Sequence, residues 1–200
     1  MNLLFDSIAT GLAEQDFAIT DQFLSQPEVE AIVALPEFQA DRTSFKKAGI
    51  SKQVQVKEEI RGDYIQWLDK ATAPGAVTVY LKRLDDLIRY LNRNLFLSLK
   101  DVEAHFTVYP PGTFYKRHLD QFKQDDHRKL SVICYLNNDW KPEHGGELRL
   151  YLPGRTRDVL PEAGRLVCFR SDRIEHEVLP ATRERLSITG WMLDKEKFLV

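Results

Sequence analysis

Through roughly the first hundred residues apolar positions recur every three or four places, and from Glu103 onward they recur every two. Leu3, Leu4, Ile8 and Leu12 stand at helical spacing, which predicts an amphipathic helix over residues 2–14. Phe17-Ala18-Ile19 reads as a short strand, and Ser25 followed by Pro27 reads as the cap and first turn of a helix to about Leu35. The longest periodic stretch begins after Pro74-Gly75. Tyr80, Leu81, Leu84, Leu87, Ile88, Leu91 and Leu95 form one apolar stripe with charges between them, as in a helix packed on a sheet. Between these helices, residues 41–59 carry Lys46, Lys47, Lys52 and Lys57 with little periodicity. They read as a solvated loop or a substrate-facing segment, and composition alone favours the loop. The second half alternates instead. Runs 104–109, 130–136, 147–152, 165–170 and 185–193 read as strands separated by Pro, Gly, Asn and Asp turn signals. Strands at this spacing predict a barrel or sandwich, hence a mostly β fold with supporting helices. No repeat, low-complexity tract or linker divides the chain.

Composition narrows the function classes. The chain is 43% hydrophobic and 29% charged, an ordinary globular balance. Its 28 basic and 30 acidic side chains leave a net charge of −2, so net charge offers no attraction for nucleic acid or anionic lipid. Cys134 and Cys168 are too few for a disulfide scaffold and sit in apolar runs, which predicts buried reduced thiols. No apolar stretch approaches the roughly 20 residues of a membrane span. The run Met1 to Asp6 lacks the basic region and apolar core of a signal peptide. The expectation is a soluble, cytoplasmic protein without nucleic-acid or membrane partners.

Histidine placement points to chemistry. His118-Leu119-Asp120 follows a Pro-Pro-Gly turn, and in a strand-like segment alternate residues face one side, so His118 and Asp120 can reach one metal. His176, just beyond Ser171-Asp172-Arg173, can supply a third ligand. Two imidazoles and a carboxylate that leave positions open suit non-haem Fe(II) and oxygen activation. On spacing alone, a capping Asp beside a surface His competes evenly with that reading. The last strand shifts the balance. Arg185, Ser187, Thr189 and Trp191 alternate with Leu186, Ile188, Gly190 and Met192, which puts an arginine, two hydroxyls and an indole on one face. A buried arginine is costly unless it meets an anion, and a carboxylate fits its planar fork. The bland alternative is a structural salt bridge to Asp or Glu. Tyr135 and Ile133 share a face of a neighbouring strand. His105 reads as a packed or solvated strand residue, and His127 and His144 as solvent-facing.

Taken together, Tyr109-Pro110-Pro111-Gly112, His118-x-Asp120, Tyr135 to Trp140, Gly145 to Arg149, Ser171-Asp172-Arg173, His176-Glu177-Val178 and Arg185 through Trp191 resemble the Fe(II)/2-oxoglutarate-dependent prolyl 4-hydroxylases. The similarity is greatest to the hypoxia-inducible-factor prolyl hydroxylases and their bacterial relatives. It covers residues 104–194 and extends upstream to Ile60-Arg61-Gly62-Asp63 with Ile65 and Trp67.

The resemblance implies a double-stranded β-helix (jelly-roll) core over residues 100–200, buttressed by N-terminal α-helices and a substrate-facing loop within residues 1–99, all one dioxygenase domain over 1–200. It implies His118, Asp120 and His176 as iron ligands, and Arg185, assisted by Tyr135, as the anchor for the distal carboxylate of 2-oxoglutarate. Ile133, Leu148 and Val178 would wall that pocket. Ser187 belongs with them as a co-substrate contact, Thr189 and Tyr109 would lie near the metal end, and Trp191 beside the iron. Arg61, Asp63 and Arg128 match positions near the peptide-binding face. The implied reaction uses Fe(II), 2-oxoglutarate and O₂ to hydroxylate a prolyl residue at its 4-position in a protein loop, with release of succinate and CO₂. Bacterial relatives suggest a loop of a translation factor such as elongation factor Tu. After the resemblance, residues 41–59 read as a segment that closes over substrate. The competing readings are an oxygenase acting on another residue type or a small molecule, and a non-catalytic 2-oxoglutarate or metal sensor. The oligomeric state is open.

Overall fold

In the computed structural model, which describes residues 2–39, 44–49, 60–121 and 125–196, the alternating half of the chain builds two antiparallel sheets. The segment 41–59 lies outside the described residues except for 44–49, where Lys46–Lys47 form strand β2. Its reading as a closing lid falls with the remainder.

The larger sheet has seven strands in the order β1-β9-β6-β11-β4-β3-β2, with β1 at Phe17–Thr20, β3 at Tyr64–Trp67, β4 at Asp101–Tyr109, β6 at Arg128–Tyr135, β9 at Leu166–Arg170 and β11 at Arg185–Leu193. The smaller has four in the order β5-β10-β7-β8, with β5 at Tyr115–His118, β7 at Leu148–Leu152, β8 at Arg155–Val159 and β10 at Glu175–Val178.

Period-two alternation sorts the larger sheet's side chains into two cores. Val132 and Cys134 of β6, with Cys168 of β9, face the helices; Ile133, Tyr135, Val167 and Phe169 face the smaller sheet and meet Leu148, Leu150 and Val178 there. Both cysteines are free and buried, as expected. Burial pushes the Cys168 thiol up to about 12, so it is unreactive at neutral pH.

The helices cover the outer face. Helix α1 (Leu3–Gln15) is capped by Asn2, whose side chain accepts from the Phe5 amide. In helix α2 (Gln26–Val33) the Glu28 carboxylate accepts from the Ser25 amide and also ties down Arg83. A one-turn helix, α3 (Pro36–Gln39), follows. Helix α4 (Gly75–Leu95) buries Tyr80, Leu84, Leu87 and Leu91 against the sheet, the stripe read from the sequence. No described helix is long and apolar enough to cross a membrane.

The site is positioned by two pairings. In the larger sheet, β11 lies between β4 and β6, aligning Arg185 with Tyr109, Ser187 with Tyr135, and Thr189 with both His105 and Ile133. In the smaller sheet, β10 pairs with β5 so that His176 stands opposite His118.

Candidate functional site

His118, Asp120 and His176 converge, each offering a ligand atom within 4.8 Å of the others. Strand alternation, the route the sequence predicts, does not bring the first two together. β5 ends at His118, and Asp120 lies in the bend beyond it, where the Gln121 amide donates to the Ser171 carbonyl at 3.1 Å. A turn, rather than a pleat, brings the carboxylate in.

Both imidazoles are oriented alike. His118 Nδ1 lies 2.7 Å from the Lys116 carbonyl, and His176 Nδ1 lies 3.2 Å from the Ile174 carbonyl. A carbonyl only accepts, so each Nδ1 carries the proton and each Nε2 presents a lone pair. Those Nε2 atoms lie 3.4 Å and 3.6 Å from the two Asp120 oxygens. Burial pulls the His176 pKa down to about 4, leaving the ring neutral. Burial alone would raise the Asp120 carboxyl, yet it sits well below the usual carboxylate range, with the Ser131 hydroxyl donating to it at 2.6 Å. Two neutral imidazoles and an ionised carboxylate are the protonation states a divalent metal requires. The donor set, with no fourth protein ligand among the described His, Cys, Asp and Glu residues, fits the facial arrangement of non-haem Fe(II).

These ligands stand in a cavity of about 360 Å³ whose wall also includes Arg185, Tyr109, Ile133, Leu148, Val178 and Thr189. Arg185 is 2% exposed, and among the described residues no carboxylate pairs with it. Its Nε donates to the Gly146 carbonyl at 3.0 Å and its Nη2 to the Tyr135 hydroxyl at 3.4 Å, while the rings of Tyr109 and Tyr135 lie 5.2 Å and 5.0 Å away. The salt-bridge alternative therefore lacks its partner. A buried guanidinium with apolar walls and a tyrosine hydroxyl can receive a carboxylate.

The other expected residues sort by what they touch. Trp191 and Thr189 line the cavity, whereas Ser187 is fully buried, outside its lining, with its hydroxyl 3.4 Å from that of Thr189. Arg128 lies 3.5 Å above the Trp191 ring and donates to Glu103 at 2.8 Å. Arg61 and Asp63 form a two-bond fork with each other at 2.7 and 2.6 Å. His105 is buried, and burial drops its pKa to about 4. It packs between Trp67 and Trp191, and Thr107, at 2.9 Å from its Nδ1, passes a hydrogen bond on to Thr189. His127 and His144 are half-buried with partners, Asp194 and the Lys141 amide, rather than simply solvated.

Ser131 and Ser171 join the site without a role read for them in the sequence. Ser131 Oγ donates to Asp120 Oδ2 at 2.6 Å and lies 2.9 Å from Ser171 Oγ, and both serines are fully buried. The signal was present: Ser131 shares the inward face of β6 with Ile133 and Tyr135. Removing the hydroxyl leaves a buried carboxylate oxygen short of a donor. Ser131→Ala is therefore expected to weaken metal binding by roughly 10- to 100-fold, read by Mn(II) titration, and to lower the metal-free thermal midpoint.

Comparison with known proteins agrees with this geometry. The model of the 2OG-Fe(II) oxygenase superfamily matches residues 104–193. Egl nine homolog 1 of Homo sapiens is 32% identical over 213 residues, covering 98% of this chain and 48% of its own length. The chain thus spans about half the length of the curated relatives it matches. The crystal structure of a Pseudomonas putida prolyl-4-hydroxylase is 42% identical with a TM-score of 0.87, over 96% of this chain and 100% of that one. A Trichoplax adhaerens prolyl hydroxylase, solved in complex with a hypoxia inducible factor oxygen degradation domain peptide fragment, is 29% identical with a TM-score of 0.88, over 96% and 90%. The matches to the relative and to the two solved structures span the helices as well as the β core, and the chain belongs to the 2OG-Fe(II) oxygenase superfamily as a homologue of the hypoxia-inducible factor prolyl hydroxylases and of the bacterial prolyl 4-hydroxylase.

Proposed function

We propose that the protein hydroxylates a prolyl residue at its 4-position in a protein loop, using Fe(II), 2-oxoglutarate and O₂. The observation that carries this reading is the pairing, in one cavity, of a two-histidine, one-carboxylate cluster with a buried arginine that has no carboxylate partner among the described residues. His118, Asp120 and His176 hold the metal on one face. Arg185 and the Tyr135 hydroxyl take the distal carboxylate of 2-oxoglutarate, and Ile133, Leu148 and Val178 exclude water along its methylenes. Iron with 2-oxoglutarate and O₂ supplies the oxidative decarboxylation to succinate and CO₂ and the oxygen inserted into the C–H bond. The chain's own share is placement. Tyr109 and Thr189 shape the metal end, Trp191 forms the wall beside it, and Arg128, held by Glu103, stands where a peptide enters.

The homology to prolyl hydroxylases supports a protein substrate, and the resemblance to bacterial relatives brings forward a loop of a translation factor such as elongation factor Tu. The test is succinate formation from 2-oxoglutarate by purified protein with Fe(II) in air, followed by mass spectrometry of host lysate with and without the enzyme. The expected result is one added oxygen at C4 of a single proline. Oxygen on another residue type, or on a small molecule only, overturns the substrate class. Absence of succinate overturns catalysis and favours a 2-oxoglutarate or metal sensor.

A further inference from the structure

We infer that Arg61 and Asp63 act as positioning residues for His118, through Tyr115, rather than as contacts to a peptide. The inference rests on the reading of His118 as a metal ligand. The Tyr115 ring lies flat on the His118 imidazole, with centroids 3.6 Å apart and planes 18° apart. The Arg61 guanidinium lies 4.2 Å from the centre of the same ring. A ring has room for one such group per face, so Tyr115 is held between cation and imidazole.

Arg61 is itself fixed. Its Nε and Nη2 donate to the two oxygens of Asp63 at 2.7 and 2.6 Å, and its Nη1 reaches the Gly49 carbonyl at 3.4 Å. The side chains are 13% and 0% exposed. A fork already spent on a buried carboxylate has little left to offer a peptide.

The backbone repeats the coupling. Arg61 forms a bridge with Tyr115, the Gly62 amide donates to the Phe114 carbonyl at 3.0 Å, and the Lys116 amide donates to the Ile60 carbonyl at 2.9 Å. A Cβ at Gly62 would fall 2.8 Å from the Thr113 side chain, so only glycine lets the segments approach this closely. Lys116 also supplies the carbonyl that fixes His118 Nδ1. Residues 60–63 therefore grip His118 twice, by its ring face through Tyr115 and by its Nδ1 through Lys116. The two histidines need different support. His176 has a side chain only 4% exposed, with Phe169 packed at 4.6 Å, whereas the His118 side chain is 17% exposed. The histidine that packing holds less firmly is the one given a stack.

The test uses Mn(II) as a redox-inert probe on the full chain, with the Co(II) visible spectrum as a second readout of ligand geometry. Tyr115→Leu and Arg61→Met are expected to weaken Mn(II) binding by roughly 10-fold or more and to shift the Co(II) bands, while Tyr115→Phe, which keeps the ring, restores the wild-type affinity and spectrum. Folded Leu and Met variants with unchanged affinity and spectrum overturn the inference, as does a Phe variant as impaired as the Leu variant. Loss of substrate turnover by Arg61→Met with Mn(II) affinity intact also overturns it and returns Arg61 to the peptide face. Wild-type protein that binds no Mn(II) overturns the metal reading beneath, a failure distinct from the others.

Discussion

Arg185→Ala is expected to abolish tight 2-oxoglutarate binding while the protein keeps its metal and its fold. Truncating one partner of a buried, hydrogen-bonded charge pair costs about 2–5 kcal/mol, which is roughly 30- to 3,000-fold in affinity. Fold retention is the sharper half of the expectation. Arg185 is 2% exposed, and its polar and ring partners among the described residues are the Gly146 carbonyl, the Tyr135 hydroxyl and two ring faces. Its charge is thus under-compensated in the protein alone, and deleting it removes a burden from the ligand-free state. Arg185→Lys keeps the charge but loses the planar fork, so it should fall between wild type and alanine. Thermal shift with and without 2-oxoglutarate checks this directly: the ligand should raise the wild-type midpoint and leave the alanine variant unmoved. A large fall in the ligand-free midpoint with unchanged 2-oxoglutarate affinity would make Arg185 a structural residue.

His176→Ala is expected to produce the complementary loss. Its Nε2 faces Asp120 Oδ2 at 3.6 Å, and its register partner across the sheet is His118. Without it the cluster falls to one imidazole and one carboxylate. The loss of Mn(II) affinity should exceed the 10- to 100-fold typical of outer-shell changes, and succinate formation should fall below detection. Mn(II) binding unchanged in this variant would refute the assignment of all three ligands, because their lone pairs converge on one point. With Arg185→Ala the two titrations separate: one variant loses the metal, the other keeps the metal and loses the acid.

The parts of the fold legible in the sequence are those where one face is apolar. The α4 stripe from Tyr80 to Leu91 and the alternation of β11 both have a dry side, and the structure puts them where that side predicts. The smaller sheet was mostly invisible because its outer face meets water. In β10, Glu175 and Glu177 alternate with His176 and Val178, and in β8 only Val159 is buried, so neither segment has a hydrophobic run to notice. β3 is a strand because β4 pairs with it across a long stretch of chain, which no local pattern encodes. At the site, the ionic and ligand types declared themselves, while Ser131, Thr107 and Tyr115 did not. A serine or tyrosine in a strand looks the same whether it packs or supports a ligand, and only the third dimension shows that Ser131 faces Asp120 and Tyr115 faces His118.

The pairing of His118 with His176 across β5 and β10 has a mechanical consequence. β5 is the four-residue outer strand of the smaller sheet, backed on its other side by residues 60–62. An ion held by both imidazoles would bridge the two strands at one rung, as a cross-link does, restraining the unpaired chain more than it adds to the folded one.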